Sequence, residues 1–306
     1  MTALASRSSG LAGGHGGRRR VLVPVLVTVL AVVALVVVHR VFVGTALGQS
    51  VDTAAMRGAE VHHPRVVAVM NRALNGTTLV SLILVCLAAA AVGAVRRRFD
   101  LAAGAALLVI GANLSAQLLK THLARPDLDH FPAPNSFPSG HTTAAASVAF
   151  ALVLALPQAF RPMMTLIGSS YVAVIAVATV WAAWHRPSDT VAGLLVVLAW
   201  GGLVTAALRA RRPGTPGRPT RLTTGLLAVV GAICGLAGLF GMAAVALSER
   251  VTPDLVSGRF AFLAGSAAVA AAVAGTFVIW LRLAAGDRAA PAAGPAVEPV
   301  HPEEKP

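Results

Sequence analysis

Long uncharged runs alternate with short charged breaks along this chain. The apolar runs cover about Val21–Val38, Thr77–Val95, Leu101–Leu119, Ser139 or Gly140 to Leu156, Met164–Trp184, Thr190–Leu208, Thr223–Leu247 and Phe260–Leu283. A run of about 18 or more apolar residues crosses the ~30 Å hydrocarbon core as a helix. Open sheets leave backbone groups unsatisfied in lipid. The pattern therefore predicts an all-α fold, a polytopic transmembrane helix bundle of about eight spans. Arg18, Arg19 and Arg20 before the first run, with Ala46-Leu47-Gly48 after it, also fit a signal peptide loosely. The run exceeds the 7–15 residues of a signal core, so it is read as an uncleaved first span.

Composition agrees with a membrane setting. The 306 residues are 56% hydrophobic and 12% charged, against roughly 25% charged in soluble domains, and the mean hydropathy is +0.75. A formal charge of +13 would suggest nucleic acid in a soluble protein. Here the arginines flank apolar spans, where topology and contact with anionic lipid account for them. The expected partner is the lipid bilayer, with no nucleic acid. With the N-terminus in the cytoplasm, 16 of the 25 Lys and Arg fall on the inner side, a positive-inside bias.

The domain reading follows. Residues 1–20 are a disordered basic cytoplasmic N-terminus, 21–208 a six-span core, and 209–222 a basic cytoplasmic Pro/Gly linker. Residues 223–284 are two additional transmembrane helices, and 285–306 a disordered tail, also cytoplasmic. Cys86 and Cys234 lie in apolar runs, as buried small hydrophobes rather than a disulfide or metal pair. His62 and His63, in a polar segment from Gly44 to Asn75, are read as solvated. Gly231 and Gly235 form a GxxxG, a weak signal for close helix packing.

Three polar clusters interrupt the apolar pattern. The first is Lys120 with Arg125-Pro126. The second is Phe137-Pro138-Ser139-Gly140-His141, and the third His185-Arg186-Pro187-Ser188-Asp189. All three fall on the extracytoplasmic side of the topology above. Pro138 stops the preceding chain and Ser139 is a good N-cap. Gly140 lets a ligand approach the backbone, and a helix N-terminus is an anion site. His141 would stand in the first turn. His185 and Asp189 lie four apart, so a carboxylate can hold the imidazole tautomer and leave the other nitrogen as nucleophile or base. Arg suits bidentate phosphate contact and Lys supplies a point charge. Asp127 and Asp129, a lone pair in a Pro-rich loop, are read as solvated, and no metal site is expected.

This order of clusters resembles the type 2 phosphatidic acid phosphatase superfamily, whose pattern is Lys-x6-Arg-Pro, Pro-Ser-Gly-His and Ser-Arg-x5-His-x3-Asp. The resemblance covers roughly Leu101 to Leu208. It departs in two places: Lys120 and Arg125 are four residues apart, and the Ser-Arg positions hold Ala178 and Thr179. Arg186 is the candidate for the missing charge. The resemblance implies a phosphohistidine on His185, oriented by Asp189, with His141 protonating the leaving oxygen. It also implies phosphate contacts from Lys120, Arg125, Ser139 and Gly140, with no cofactor. The implied activity is a lipid phosphate phosphatase at the outer face, acting on phosphatidic acid-type lipids or a polyprenyl diphosphate. A non-hydrolytic phospholipid-binding or transport protein and a lipid phosphotransferase are the alternatives. A vanadate-using haloperoxidase does not suit so apolar a chain.

Overall fold

The computed structural model describes residues 5–59, 97–132, 134–211, 220–252 and 255–285 and isolated positions between 60 and 96. Among the described residues the regular structure is helical: α1 (Ala5–Phe42), α2 (Ala46–Arg57), α3 (Phe99–His122), α4 (Gly140–Ala155), α5 (Arg161–Trp181), α6 (Pro187–Arg211), α7 (Arg221–Val251) and α8 (Gly258–Ala284). The protein is a multi-pass helix bundle. Among the described residues, six helices are long and apolar enough to cross a membrane: α3, α5, α6, α7, α8 and the Arg20–Phe42 part of α1. The expected span at 77–95, His62, His63 and Cys86 lie outside the described residues, as do the linker 212–219 and the tail from 286.

Two features differ from the expected pattern. Helix α1 begins at Ala5, so residues 5–20 are helical where composition suggested disorder. Arg18, Arg19 and Arg20 are good helix formers, and the apolar span gives them a helix to continue. The expected fourth span is α4, of only 16 residues. At 1.5 Å per residue that is roughly 24 Å, short of the hydrocarbon core. Nearly all of it is buried, so it is the bundle's central pillar, with α3, α5 and α6 around it.

The core mixes small and large residues of α4 with those of its neighbours. Phe150 of α4 stacks on Trp280 of α8 at 4.5 Å between ring centroids and meets Phe277 edge-on at 5.2 Å. All three are fully buried. Such aromatic pairs contribute about 0.5–1.5 kcal/mol each beyond their buried area. Helix α8 is thereby part of the core rather than an appendage. It also touches the polar end of the molecule, where Gly265 lets Ala55 and Pro187 approach. Helix α7 lies outermost: Gly231, Gly238 and Gly241 pack against Ala274, Ala268 and Ala264 of α8, while Ile233, Leu236, Leu239 and Phe240 face outward. Gly235 packs more loosely, against Ala271. Arg161 secures the opposite end, donating to the carbonyls of Leu154, Leu156 and Ala284. A cation on helix C-termini satisfies carbonyls that have no partner within the helix.

Candidate active site

Three helix ends meet at one end of the bundle: the C-terminus of α3 and the N-termini of α4 and α6. The loop between α3 and α4 is folded back by Asn135, whose Nδ2 donates to the carbonyls of Lys120 at 3.1 Å and Leu123 at 2.8 Å. The Phe137–Pro138 peptide is cis. Ser139 caps α4, its Oγ accepting from Thr142 N at 3.3 Å. Ser139 N donates to the Asp189 carbonyl at 2.8 Å, which ties the start of α4 to that of α6. A Cβ built on Gly140 meets nothing within 4 Å, so backbone there borders open space.

Asp189 is the hub. Its side chain is fully buried. Oδ2 accepts from Ser136 Oγ at 2.5 Å and from Arg186 N at 2.9 Å, and lies 3.6 Å from His185 Nδ1. That last separation is in ion-pair range and longer than a hydrogen bond. Oδ1 stands 3.5 Å from Arg125 Nη1. The Arg125 side chain is 3% exposed, yet Nε, Nη1 and Nη2 have no hydrogen-bond partner among the described residues. The turn that delivers His185 leaves α5 through Ala183 at φ 56, with Trp184 N and His185 N both donating to the Thr179 carbonyl. Thr179 itself is fully buried, which leaves the position of the absent Arg inside the helix packing.

The rings of His141 and His185 lie 6.0 Å apart between centroids, and His141 is 5.3 Å from Trp184. Lys120, His185 and Arg186 line a cavity of about 650 Å³ with Ser136, Trp181 and Phe131. Arg125 lines a smaller one of about 370 Å³ that shares Phe131, Pro132 and Pro134 with it. The structure thus brings together Lys120, Arg125, Ser139, Gly140, His141, His185, Arg186 and Asp189. Arg125 differs from the sequence expectation in facing Asp189 directly.

Several neighbours were not legible in the sequence. Helix α2 falls in the stretch taken for a polar loop, and it buries Gln49, Asp52 and Thr53. Thr53 Oγ1 donates to Asp129 Oδ2 at 2.6 Å and accepts from Arg186 Nε at 2.9 Å. Asp129, which also accepts from Phe131 N, is therefore engaged rather than solvated, while Asp127 is exposed. Gln49 Nε2 donates to the Pro126 carbonyl at 2.8 Å and its Oε1 accepts from Leu128 N at 3.2 Å. Asp52 accepts from Ser188 N at 3.0 Å and from Ser188 Oγ. The available signal was the helical spacing of 49, 52, 53 and 56. Ser136 announced itself only by standing before Phe137. Arg186 and Arg57 approach the Phe131 ring, at 5.9 and 5.2 Å from its centroid, within cation–π range. Burial and the nearby Arg125 pull the Arg186 guanidinium down from its usual range, opposed by Asp189, Asp52 and Asp129.

Residues 101–213 match the family model described as PAP2 superfamily. Across that segment, a little over a third of the chain, the protein is similar to the PAP2 superfamily. The PAP2 segment spans α3 to the end of α6, which carry every residue singled out by the motifs; α1, α2, α7 and α8 lie outside it. Among solved structures the chain is similar to one described as the first transmembrane PAP2 type phosphatidylglycerolphosphate phosphatase from Bacillus subtilis. Identity is 20%, coverage 62% of this chain and 98% of that one, and the TM-score 0.49. No curated protein matches the chain.

Proposed function

We propose that the chain is a membrane lipid phosphate phosphatase working through a phosphohistidine on His185. The observation that carries this is a buried Arg125 whose three side-chain nitrogens lack a hydrogen bond among the described residues, facing the same Asp189 as His185, whose ring lies 6.0 Å from that of His141. Each buried donor without a partner costs about 1–3 kcal/mol, a cost that an anion's oxygens would remove. A ring separation of 6.0 Å suits a phosphorus atom held between them, since reacting atoms in a near-attack arrangement stand about 3–3.5 Å apart.

In this reading His185 Nδ1 faces Asp189 and Nε2 attacks phosphorus. The N–P bond forms as the bond to the leaving oxygen breaks, and His141 gives that oxygen its proton. Water then attacks phosphorus as His141 takes a proton from it, and the N–P bond breaks to release phosphate and free His185. Phosphoryl transfer asks the protein chiefly for positioning and cationic stabilisation. Lys120, Arg125, Arg186, the Ser139 hydroxyl and the Gly140 N–H supply these. A site where the polar helix ends meet lipid suits a substrate whose phosphate lies at that depth: a phosphatidic acid-type lipid or a polyprenyl diphosphate. The bias of Lys and Arg supports an extracytoplasmic site, with both termini inside.

The buried Thr179 where the family pattern has Arg favours one rival, a lipid-binding or transport protein that does not hydrolyse. The same experiment separates the two. Purified chain is given labelled phosphatidic acid and, separately, a polyprenyl diphosphate, and released phosphate and protein-bound label are measured. Wild type should release phosphate and trap label. His185→Ala should trap none and lose about 10⁴-fold or more in rate, the scale for losing a nucleophile. Label persisting in His185→Ala removes the nucleophile, and tight lipid retention without release supports the rival.

A further inference from the structure

Helix α6 starts in an unusual way. The Arg186 carbonyl accepts from Thr190 N at 3.4 Å and from Asp189 N at 3.0 Å, so Arg186 occupies the N-cap position ahead of Pro187. An N-cap residue ordinarily satisfies the N–H two or three places on with its own side-chain oxygen, and Ser, Thr, Asp and Asn do this best. Arginine has no acceptor. Asp189 reaches back to the Arg186 N–H at 2.9 Å, as the third residue of a capping box does. Proline at the first position has no N–H to satisfy. One donor remains, Ser188 N, and it is bonded by Asp52, which lies on α2, 136 residues away in the chain.

We propose that Asp52 is a positioning residue: it caps the catalytic turn from another helix and so leaves Arg186 free to face the substrate cavity. The inference rests on the phosphatase reading above. Asp52 is fully buried and grips Ser188 through both N and Oγ, one residue from Asp189 and three from His185. On the same helix Thr53 holds Arg186 Nε, so α2 fixes both the backbone and the side chain of the cap residue. Helix α2 is itself clamped: Gly58 and Gly258 are in backbone contact, and Gly265 of α8 packs on Ala55 and Pro187. This gives α2 and α8, both outside the PAP2 segment, a part in placing His185.

A carboxyl oxygen accepts the Ser188 N–H whether or not Asp52 carries a proton, and a carboxamide oxygen does the same. A methyl group does not. Asp52→Ala should therefore lower kcat about 100-fold, with KM within about twofold, because a misplaced turn loses geometry while lipid contacts persist. Asp52→Asn should recover at least tenfold of that loss. Ser188→Ala, which keeps the N–H bond, should cost about threefold in kcat. If Asp52→Ala fails to fold, the other two decide.

Burial and the Asp189 carboxylate push Asp52 up to about 7, against the Ser188 hydrogen bonds and Arg125. Arg186 is the other charged group that senses it. The folded state thus keeps a proton that the unfolded chain, at 3.8, has already released. Stability from this group is lost as pH rises from about 4 to about 7, and Asp52→Asn should flatten that part of the slope in thermal melts of the detergent-solubilised chain. Activity is read as phosphate released from phosphatidic acid in mixed micelles. Wild-type kcat in Asp52→Ala, or a loss carried by KM alone, or no recovery with Asn, overturns the proposal. A wild type that releases no phosphate instead sinks the phosphatase reading.

Discussion

The starts of α4 and α6 lie side by side at the polar end of the bundle, and they are capped in opposite ways. At α4 everything is local. Ser139 accepts from Thr142 N, Thr143 donates back to the Ser139 carbonyl at 2.8 Å, and Gly140 borders open space. At α6 the N-cap is an arginine, and its duties are divided between Asp189 three residues on and Asp52 on another helix. A local cap leaves a bare backbone end for an anion. A distant cap puts a cationic side chain in that place. One helix start offers N–H groups and the other a guanidinium, and the two imidazoles stand between them.

Asp189 joins the two starts, so the sharpest way to break the comparison is Asp189→Asn. The change keeps the shape but removes the charge facing Arg125 and His185. An uncompensated buried charge costs about 3–5 kcal/mol, and a mis-set imidazole tautomer costs on the order of 10⁴ in rate in a well-studied hydrolase triad. We expect at least a 10³-fold loss in phosphate release together with a lower melting temperature. A variant that melts lower and still turns over normally would reduce Asp189 to a structural tie.

A smaller effect should come from the seam between them. A Cβ on Gly193 of α6 would lie 2.9 Å from both the Ser139 carbonyl oxygen and Thr143 Oγ1. Backbone oxygen does not yield cheaply, and overpacking of this kind costs about 1–3 kcal/mol. Gly193→Ala should spread the two starts and lower kcat about 100-fold, the scale for a shift near 1 Å, with phosphate release as the measure. Unchanged turnover would mean that the spacing of α4 and α6 does not set the distance between the histidines.

The same contrast explains what was legible in the sequence. Phe137 to His141 and His185 with Asp189 are short-range patterns whose meaning lies within a few residues, and the apolar runs gave the helices that carry them. Asp52, Thr53 and Gln49 are polar residues between two spans, and partners 76 to 136 residues away engage them. From composition alone such a stretch reads as a loop. Arg125 suits bidentate phosphate contact and is a phosphate contact in the family pattern; that a carboxylate from α6 would also face it depends on how the loop between α3 and α4 folds. The part of α8 was hidden for the same reason, because its Trp280 and Phe277 look like any lipid-facing aromatics until Phe150 is placed against them.

The least perturbing test asks whether the open space at α4 belongs to the substrate. Gly140 is the first residue of its helix and has no left-handed backbone, so alanine fits its conformation. Nothing within 4 Å resists the added methyl. Alanine is also the better helix former, by up to about 1 kcal/mol. Gly140→Ala should therefore melt no lower than wild type. If a phosphoryl oxygen approaches the N–H at this point, the methyl stands in its way, and kcat/KM should fall about tenfold while Gly193→Ala loses stability as well. Full activity in a well-folded Gly140→Ala would show that the bare end of α4 is not where the anion sits, and the cationic side of α6 would then have to hold the phosphate without it.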